Sequence, residues 1–282
     1  MKIALSTEST CDLSNELIKT NRVSVIPYTI ILGDEEVVDG EGIPQRIFEF
    51  VERTKKLPKT SAINEDVYAE YFEKLLKTHD AVVHITLSGG ITSSVEHAKA
   101  AAKRVKNVFI VDSKSLSTGI GLLVLYARKL IDAGHTAKEV ADMVQARVPF
   151  VQASFVVERL DYLYKGGRCN AIALLGANLL RLRPQIKLVD GKMKPAKKYR
   201  GKMNKVIAEY AKDTIEEFNN PDKSVAFITY TTATPEMIEA AKTALVAAGF
   251  ETIYETTAGG TITSHCGEHV LGVLYINDGG NK

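Results

Sequence analysis

The chain has 282 residues, 45% apolar and 25% charged, with a formal net charge of only +2. That is the make-up of a globular protein of two domains, with no apolar run approaching the ~20 residues of a membrane span and an opening Met1–Glu8 too short in its apolar part for a signal peptide. Its three cysteines (Cys11, Cys169 and Cys266) are odd in number, far apart and without a C-x-x-C pair, which points to a reducing cytoplasm and away from disulfides or a cysteine zinc site.

In chain order, Lys2–Ser6 reads as a short buried strand, and Asp12 or Ser14 as the cap of a helix through Leu17 and Ile18. The β-branched run Val23–Leu32 reads as strand, with Pro27 marking an edge or bend. Ile43, Ile47, Phe48 and Val51 recur at helical spacing, as do Val67, Tyr68, Tyr71, Phe72, Leu75 and Leu76. Asn64 caps the second of these helices. Ala81–Leu87 is a strand that runs into Ser88-Gly89-Gly90-Ile91-Thr92-Ser93-Ser94, and a run of helix formers follows. A strand, a small-residue turn and a helix start present backbone N–H groups and the positive end of a helix dipole, so this stretch reads as an anion cradle, with Thr92 or Ser93 as the helix cap.

Asn107–Asp112 is a further strand, and Ser113–Gly119 leads into a helix closed by Gly134. Thr136 caps the next helix, which ends before Pro149. Alternation of this kind predicts a parallel sheet covered on both faces, a three-layer, Rossmann-like α/β domain over residues 1–150. Ligands on such sheets sit beyond the carboxyl ends of the strands, where hydroxyl-rich turns after Leu5, Leu87 and Val111 would converge.

From Val151 the pattern changes. Val151–Val157 reads as strand, Arg159–Arg168 as a short helix with a Gly-Gly exit, and Asn170–Leu182 as a strongly apolar helix. Asp190-Gly191 between Ile186–Val189 and Met193–Tyr199 is a hairpin signal. Helices over Val206–Phe218 and Pro235–Ala248 alternate with strands at Val225–Tyr230, near Ile253 and at Val270–Ile276. Residues 151–282 are therefore expected to form an α+β domain with a mixed or partly antiparallel sheet.

Charge is concentrated: ten basic residues against the single acid Asp190 fall between Arg181 and Lys205, leaving 26 basic and 33 acidic residues elsewhere. The stretch carries Tyr199 as its only aromatic, and no helix-turn-helix or zinc-finger spacing accompanies it, so nucleic acid is disfavoured relative to an acidic or phosphate-bearing partner. There is no P-loop, no G-x-S-x-G and no H-E-x-x-H. Gly119-Ile120-Gly121 lacks the third glycine of a dinucleotide fingerprint and falls inside a helix. His265-Cys266-Gly267-Glu268-His269 holds two histidines without a third ligand, and reads as a turn in which Cys266 and His265 point apart.

Several short motifs occur together: Lys59-Thr60-Ser61, Ser88-Gly89-Gly90, Val111-Asp112-Ser113-Lys114-Ser115 followed by Gly119-Ile120-Gly121-Leu122-Leu123, Tyr162–Arg168, and Ser264-His265-Cys266-Gly267. In this order they resemble the DegV family over essentially the whole chain, and the opening Ser6–Leu13 is similar to that family's start, with Glu8 where Asp is usual. The resemblance implies a fold of two α/β domains. It also implies a long-chain fatty acid buried in a tunnel between them, its carboxylate presented to a separate fatty-acid kinase that makes the acyl phosphate. By motif, the carboxylate-binding residues are Thr60, Ser61, Thr92, Ser93 and His265. Arg168 and Arg200 would lie near the head group or face the kinase.

The resemblance thus implies a carrier with no catalytic residues, no metal and no cofactor beyond the bound lipid, and no stable membrane insertion. The chain departs from the family pattern at Ala62-Ile63 in place of Gln-Pro, at Gly90-Ile91-Thr92-Ser93-Ser94 in place of Gly-Leu-Ser-Gly-Thr, and at Cys266-Gly267-Glu268 in place of Thr-Gly-Pro after the histidine. Two other readings are an enzyme acting on a small carboxylate or phosphate at the same sheet edge, and a nucleic-acid regulator using the basic hairpin. The enzyme would need Glu8, Asp112 or His265 as a base within reach of Ser93 or Ser113.

Overall fold

The structure, a computed structural model, describes residues 1–169 and 182–280. Strands β1 (Ile3–Glu8), helix α1 (Asn15–Thr20), β2 (Val23–Ile26), β3 (Thr29–Leu32), β4 (Glu35–Val38), α2 (Ile43–Thr54), β5 (Lys59–Ser61), α3 (Glu65–Leu76), β6 (Ala81–Thr86), α4 (Ser94–Arg104) and β7 (Val108–Asp112) make up the first part. Helices α5 (Thr118–Asp132) and α6 (Ala137–Arg147) follow, and a 3₁₀ turn at Val148–Phe150 leads to β8 (Val151–Val156). Then come α7 (Asp161–Lys165), β9 (Leu182–Val189), β10 (Lys192–Arg200), α8 (Met203–Glu217), β11 (Val225–Tyr230), α9 (Pro235–Ala247), β12 (Thr252–Thr257), α10 (Gly260–Cys266) and β13 (Leu271–Ile276).

The first sheet is parallel, in the order β2-β1-β6-β7. Every residue of β1 and β6 is buried, as a sheet covered on both faces requires. The chain leaves β1 toward β2 on one side, while β6 lies on the other, so the topological switch point falls between the carboxyl ends of β1 and β6. The second sheet is mixed, in the order β10-β9-β8-β13-β11-β12, with only β11 and β12 parallel. Helices α8 and α9 cover one of its faces through Val206, Tyr210, Met237 and Leu245.

Helix α5 covers the other face, and it also packs on β1 and β6 of the first sheet. It is apolar nearly all round, with Ile120, Leu122, Leu123, Val124 and Ala127 buried, the pattern of a helix inside a core. One apolar cluster accordingly runs from Leu5 and Val83 through Ile120 and Leu123 to Phe155, Phe227 and Leu274.

Several elements differ from the sequence-based expectation. Val23–Leu32 is two strands, because Pro27 cannot donate to a ladder and Tyr28 sends its N–H to Ser9 Oγ (3.1 Å). The chain thereby leaves the parallel sheet, and β3 joins a small antiparallel sheet ordered β4-β3-β5, two strands of which the sequence does not announce. Ser14, not Asp12, caps α1 by accepting from Leu17 N (3.2 Å). The segment His265-Cys266 is the end of a helix, α10, rather than a turn. Of the apolar helix expected over 170–182, Leu182 opens β9 and the rest lies outside the described residues. Asp190 and Gly191 both have positive φ (51° and 77°), the conformation of a tight two-residue hairpin turn.

Candidate functional site

At the switch point, Glu8 closes β1 with its carboxylate fully buried. It accepts from Leu87 N (2.8 Å), Tyr28 Oη (3.2 Å), Thr10 Oγ1 (3.4 Å) and Tyr68 Oη, and His84 Nε2 stands 3.9 Å away. That many donors compensate the burial of a charge. The Tyr28 phenol is pushed well above its ordinary value, by burial first and by the Glu8 charge second. Its hydroxyl also reaches the Ser94 and Thr92 hydroxyls, so the buried carboxylate is joined through Tyr28 to the loop after β6.

That loop is not the open row of donors that its sequence suggests. Gly89 N donates to Asp112 Oδ1 (3.2 Å), Gly90 N to Ser88 Oγ (3.1 Å), and Ile91 N and Thr92 N to Ser88 O (2.9 and 3.1 Å). Ser94 N donates to Thr92 Oγ1 (3.2 Å), while Ser93, at the helix start, makes no side-chain cap. Asp112, which also accepts from Lys114 N (3.0 Å), already supplies an anion to the turn. Ser88 Oγ donates to Gly191 O (2.7 Å), so the β9–β10 hairpin tip is docked onto the loop. The approach is close enough that a Cβ at Gly90 would fall 2.4 Å from Gly191 O.

The polar groups that do face free space are side chains. A cavity of about 130 Å³ is lined by Thr60, Thr92, Ser93, Arg168 and His265 on its polar side. Its apolar side includes Leu87, Ile91, Leu116, Met193 and Ile262, with Tyr28 and Cys266 completing the contact. Thr60 Oγ1 lies 2.8 Å from His265 Nε2. Burial first, and the Arg168 charge second, lower the His265 pKa to about 4, so its imidazole is neutral at pH 7. His265 Nδ1 is buried without a hydrogen-bond partner among the described residues, and a Cβ at Gly166 would come within 2.8 Å of it. A proton on Nε2 leaves the Thr60 hydroxyl hydrogen free for the cavity. Arg168 is exposed at the mouth, where one of its amino groups donates to Gly166 O (2.6 Å).

Helix α10 holds His265 in place although it is short and starts on two glycines. Its first N–H groups are taken by Asp39, which accepts from Gly260 N (2.8 Å), Thr261 N (3.1 Å) and Thr261 Oγ1 (2.6 Å). Asp12 accepts from Gly259 N (2.8 Å) and Ser117 Oγ (2.6 Å). Burial raises the Asp12 pKa to about 8, against the lowering effect of those two hydrogen bonds.

The structure thus brings Thr60, Thr92, Ser93, Arg168 and His265 to one cavity. Ser61 does not line it: neighbouring residues of a strand face opposite ways, and Ser61 is exposed. Arg200 is exposed at the end of β10, paired across from Leu182, away from the cavity. The basic stretch is partly neutralised, since Lys187 pairs with Glu217, and Lys197 and Tyr199 both bond Asp213. Tyr28 and Met193 are lining residues that the sequence reading did not single out as such. Tyr28 sits beside Pro27, whose break in the strand was the available signal.

None of the candidate bases is paired with Ser93 or Ser113 among the described residues. Glu8 and Asp112 are engaged as above, His265 bonds Thr60, and Ser113 Oγ bonds Ser115. Burial pushes the Cys266 thiol up to about 12, so it stays protonated. No group of three or more His, Cys, Asp or Glu side chains that could hold a metal occurs among the described residues. Nor is any described helix long and apolar enough to cross a membrane.

Comparison with known proteins places this architecture. A family model described as "Uncharacterised protein, DegV family" matches residues 2–278. A DegV domain-containing protein of Caldanaerobacter subterraneus subsp. tengcongensis is 30% identical over 97% of this chain and 98% of its own. Among solved structures, a DegV family protein from Thermus thermophilus, titled for its fatty acid binding, aligns with a TM-score of 0.90 at 27% identity. That alignment covers 98% of this chain and 100% of the other. DegV of Bacillus subtilis, described as a fatty acid binding protein, aligns with a TM-score of 0.85 at 25% identity over 99% and 100%. The chain belongs to the DegV family.

Proposed function

We propose that this protein is a carrier of long-chain fatty acids. Its carboxylate site is formed by Thr60, Thr92, Ser93 and the neutral His265, and the acyl tail lies in a tunnel between residues 1–150 and 151–282. The observation that carries the reading is the pairing of three hydroxyls and an imidazole with an apolar cavity wall. A carboxylate needs two or three aligned donors to be held ionised. Each buried methylene contributes about 0.8 kcal/mol, so the tail dominates affinity. Arg168 adds a cation at the mouth, and the Thermus thermophilus and Bacillus subtilis relatives, described as fatty-acid-binding, support the same ligand class.

Ser93 and Ser113 have no base beside them among the described residues, and the one imidazole that bonds a hydroxyl, His265 on Thr60, is a weak base held low by burial; this suits binding rather than turnover, so the chemistry is assigned to a partner, a kinase that phosphorylates the presented carboxylate. The exposed basic residues from Lys192 to Lys202, Arg200 among them, would meet that kinase, and the buried thiols of Cys11 and Cys266 suit a reducing cytoplasm. Lipid extraction and mass spectrometry of natively purified protein test the carrier role. A stoichiometric fatty acid is expected, and a lipid-free protein that takes up none would refute it. Adding the kinase and ATP to the loaded protein should yield acyl phosphate, trapped as a hydroxamate; none forming with any bacterial fatty-acid kinase would remove the presenting role.

A further inference from the structure

The buried carboxylate of Glu8 and the cavity are joined by a row of hydroxyl groups whose hydrogens all run one way. Glu8 accepts from Leu87 N, Thr10, Tyr68 and Tyr28, the last at its Oε2 (3.2 Å). A phenol carries a single hydrogen, so Tyr28 Oη, having given it to Glu8, accepts from the Ser94 hydroxyl. Ser94 Oγ in turn accepts from Ile63 N (3.1 Å) and from Thr92 Oγ1 (3.1 Å). Thr92 Oγ1, which accepts from Ser94 N (3.2 Å), belongs to a residue of the cavity wall. Its hydrogen is therefore drawn inward, and what it offers a ligand is a lone pair. Thr60 offers a hydrogen instead when His265 carries its proton on Nε2. One donor and one acceptor match a neutral carboxylic acid better than a carboxylate, which only accepts.

We propose that Glu8 is the proton acceptor for the incoming fatty acid, so that ligand and protein share one buried negative charge. The inference rests on the fatty-acid reading above. The acid's O–H bond breaks as Thr92 takes its proton and passes its own hydrogen to Ser94. Ser94 passes its hydrogen to Tyr28, and Tyr28 to Glu8 Oε2, where the new O–H bond forms. Every hydroxyl in the row then points toward the cavity, and Thr92 has become a donor to the carboxylate left there. Charge is moved and not created, which matters because two carboxylates linked through a dry interior oppose each other's ionisation. Arg168, the one cation of fixed charge among the described residues lining the cavity, is exposed to water. Around Glu8, burial keeps the Tyr28 and Tyr68 phenols and the Cys11 thiol protonated. His84 Nε2, 3.9 Å from Glu8 Oε1, is the other group among the described residues that faces it and could take a proton.

The test titrates the delipidated full chain with carboxyl-13C-labelled myristate at pH 7.5, where the free acid is ionised. Calorimetry in buffers of different ionisation heat counts the protons, and the 13C shift reports the state of the bound head group. The wild type should take up close to one proton per ligand while the bound head group reads as carboxylate. Its affinity should accordingly fall about 10-fold per unit rise in pH. Glu8→Gln should bind without proton uptake, and so should Tyr28→Phe, which breaks the row and leaves Glu8 in place; circular dichroism checks that each folds. Myristate bound by the wild type with no proton taken up, or with its head group protonated, would overturn the relay and leave the carrier role standing. Uptake that persists in a folded Glu8→Gln would do the same, placing the proton on the ligand or on His84. A wild-type protein that binds no myristate would overturn both.

Discussion

Thr60 and His265 are 205 positions apart in the chain and 2.8 Å apart in space. One is on an edge strand of the small antiparallel sheet, the other on the short helix before the last strand. Their contact makes the proposed carboxylate site a product of both ends of the sequence. Thr60→Val keeps the shape and removes the hydroxyl. A hydrogen bond to a charged group contributes about 1.5–3 kcal/mol, so fatty-acid affinity should fall roughly 10- to 100-fold with the melting temperature nearly unchanged. Isothermal titration with a fatty acid alongside a thermal melt checks both.

The His265 imidazole titrates far from its usual range. With a pKa of about 4 against an ordinary 6.5, the folded protein resists protonation that the unfolded chain accepts. Stability attributable to this group is therefore full above about pH 6.5 and lost as pH falls toward 4. Nuclear magnetic resonance of the ring protons should show the His265 ring still neutral at pH 5.5, its signal assigned by its loss in His265→Gln.

Asp12 behaves in the opposite sense. Its pKa of about 8 against an ordinary 3.8 means the native state holds a proton that the unfolded chain releases. Its contribution is greatest below about pH 4 and declines as pH rises toward 8. Asp12→Asn should gain stability relative to wild type across that interval, as followed by denaturant melts at pH 4.5, 6 and 8.

The contact between the loop after β6 and the hairpin tip leaves no room for a methyl group, since a Cβ at Gly90 would meet backbone atoms of Gly191. Gly90→Ala is expected to destabilise by about 1–3 kcal/mol and to speed ligand release by displacing the tip. Stopped-flow displacement of a fluorescent fatty acid reads the second effect.

Arg147 bonds Asp222 and Asp278 (both 2.7 Å) with its side chain only 12% exposed, and stacks on Tyr126. Removing one partner of such a group leaves unpaired charge inside, so Arg147→Ala should cost about 3 kcal/mol or more in chemical denaturation.

The alternation of strands and helices in the first 150 residues was legible because each element carries its own periodicity and caps, as Asn64 and Thr136 show by accepting from Val67 N and Glu139 N. The hairpin at Asp190-Gly191 was legible for the same local reason. Helix α10 was not. It begins on Gly259-Gly260, residues of poor helix propensity, and forms because Asp39 and Asp12 take its first N–H groups from across the molecule. Gly260 is also required by packing, as a Cβ there would strike Ile43 and Ile30 at 2.5 and 2.6 Å. Nothing near it in sequence records either fact. Likewise, six hydroxyl-bearing or glycine positions from Ser88 to Ser94 announce an anion cradle, but the fold spends most of those donors on Ser88, Thr92 and Asp112. The candidate site came partly from motifs and partly from these distant contacts.

Helix α5 has the first sheet on one side and the second on the other, and its side chains belong to the core of both. Neither half of the chain can part from it without exposing Ile120, Leu123 and Ala127, each at 0% exposure. Heating should therefore give a single cooperative transition in calorimetry rather than two, and the proposed fatty acid would have to enter and leave by local opening while the two sheets stay joined.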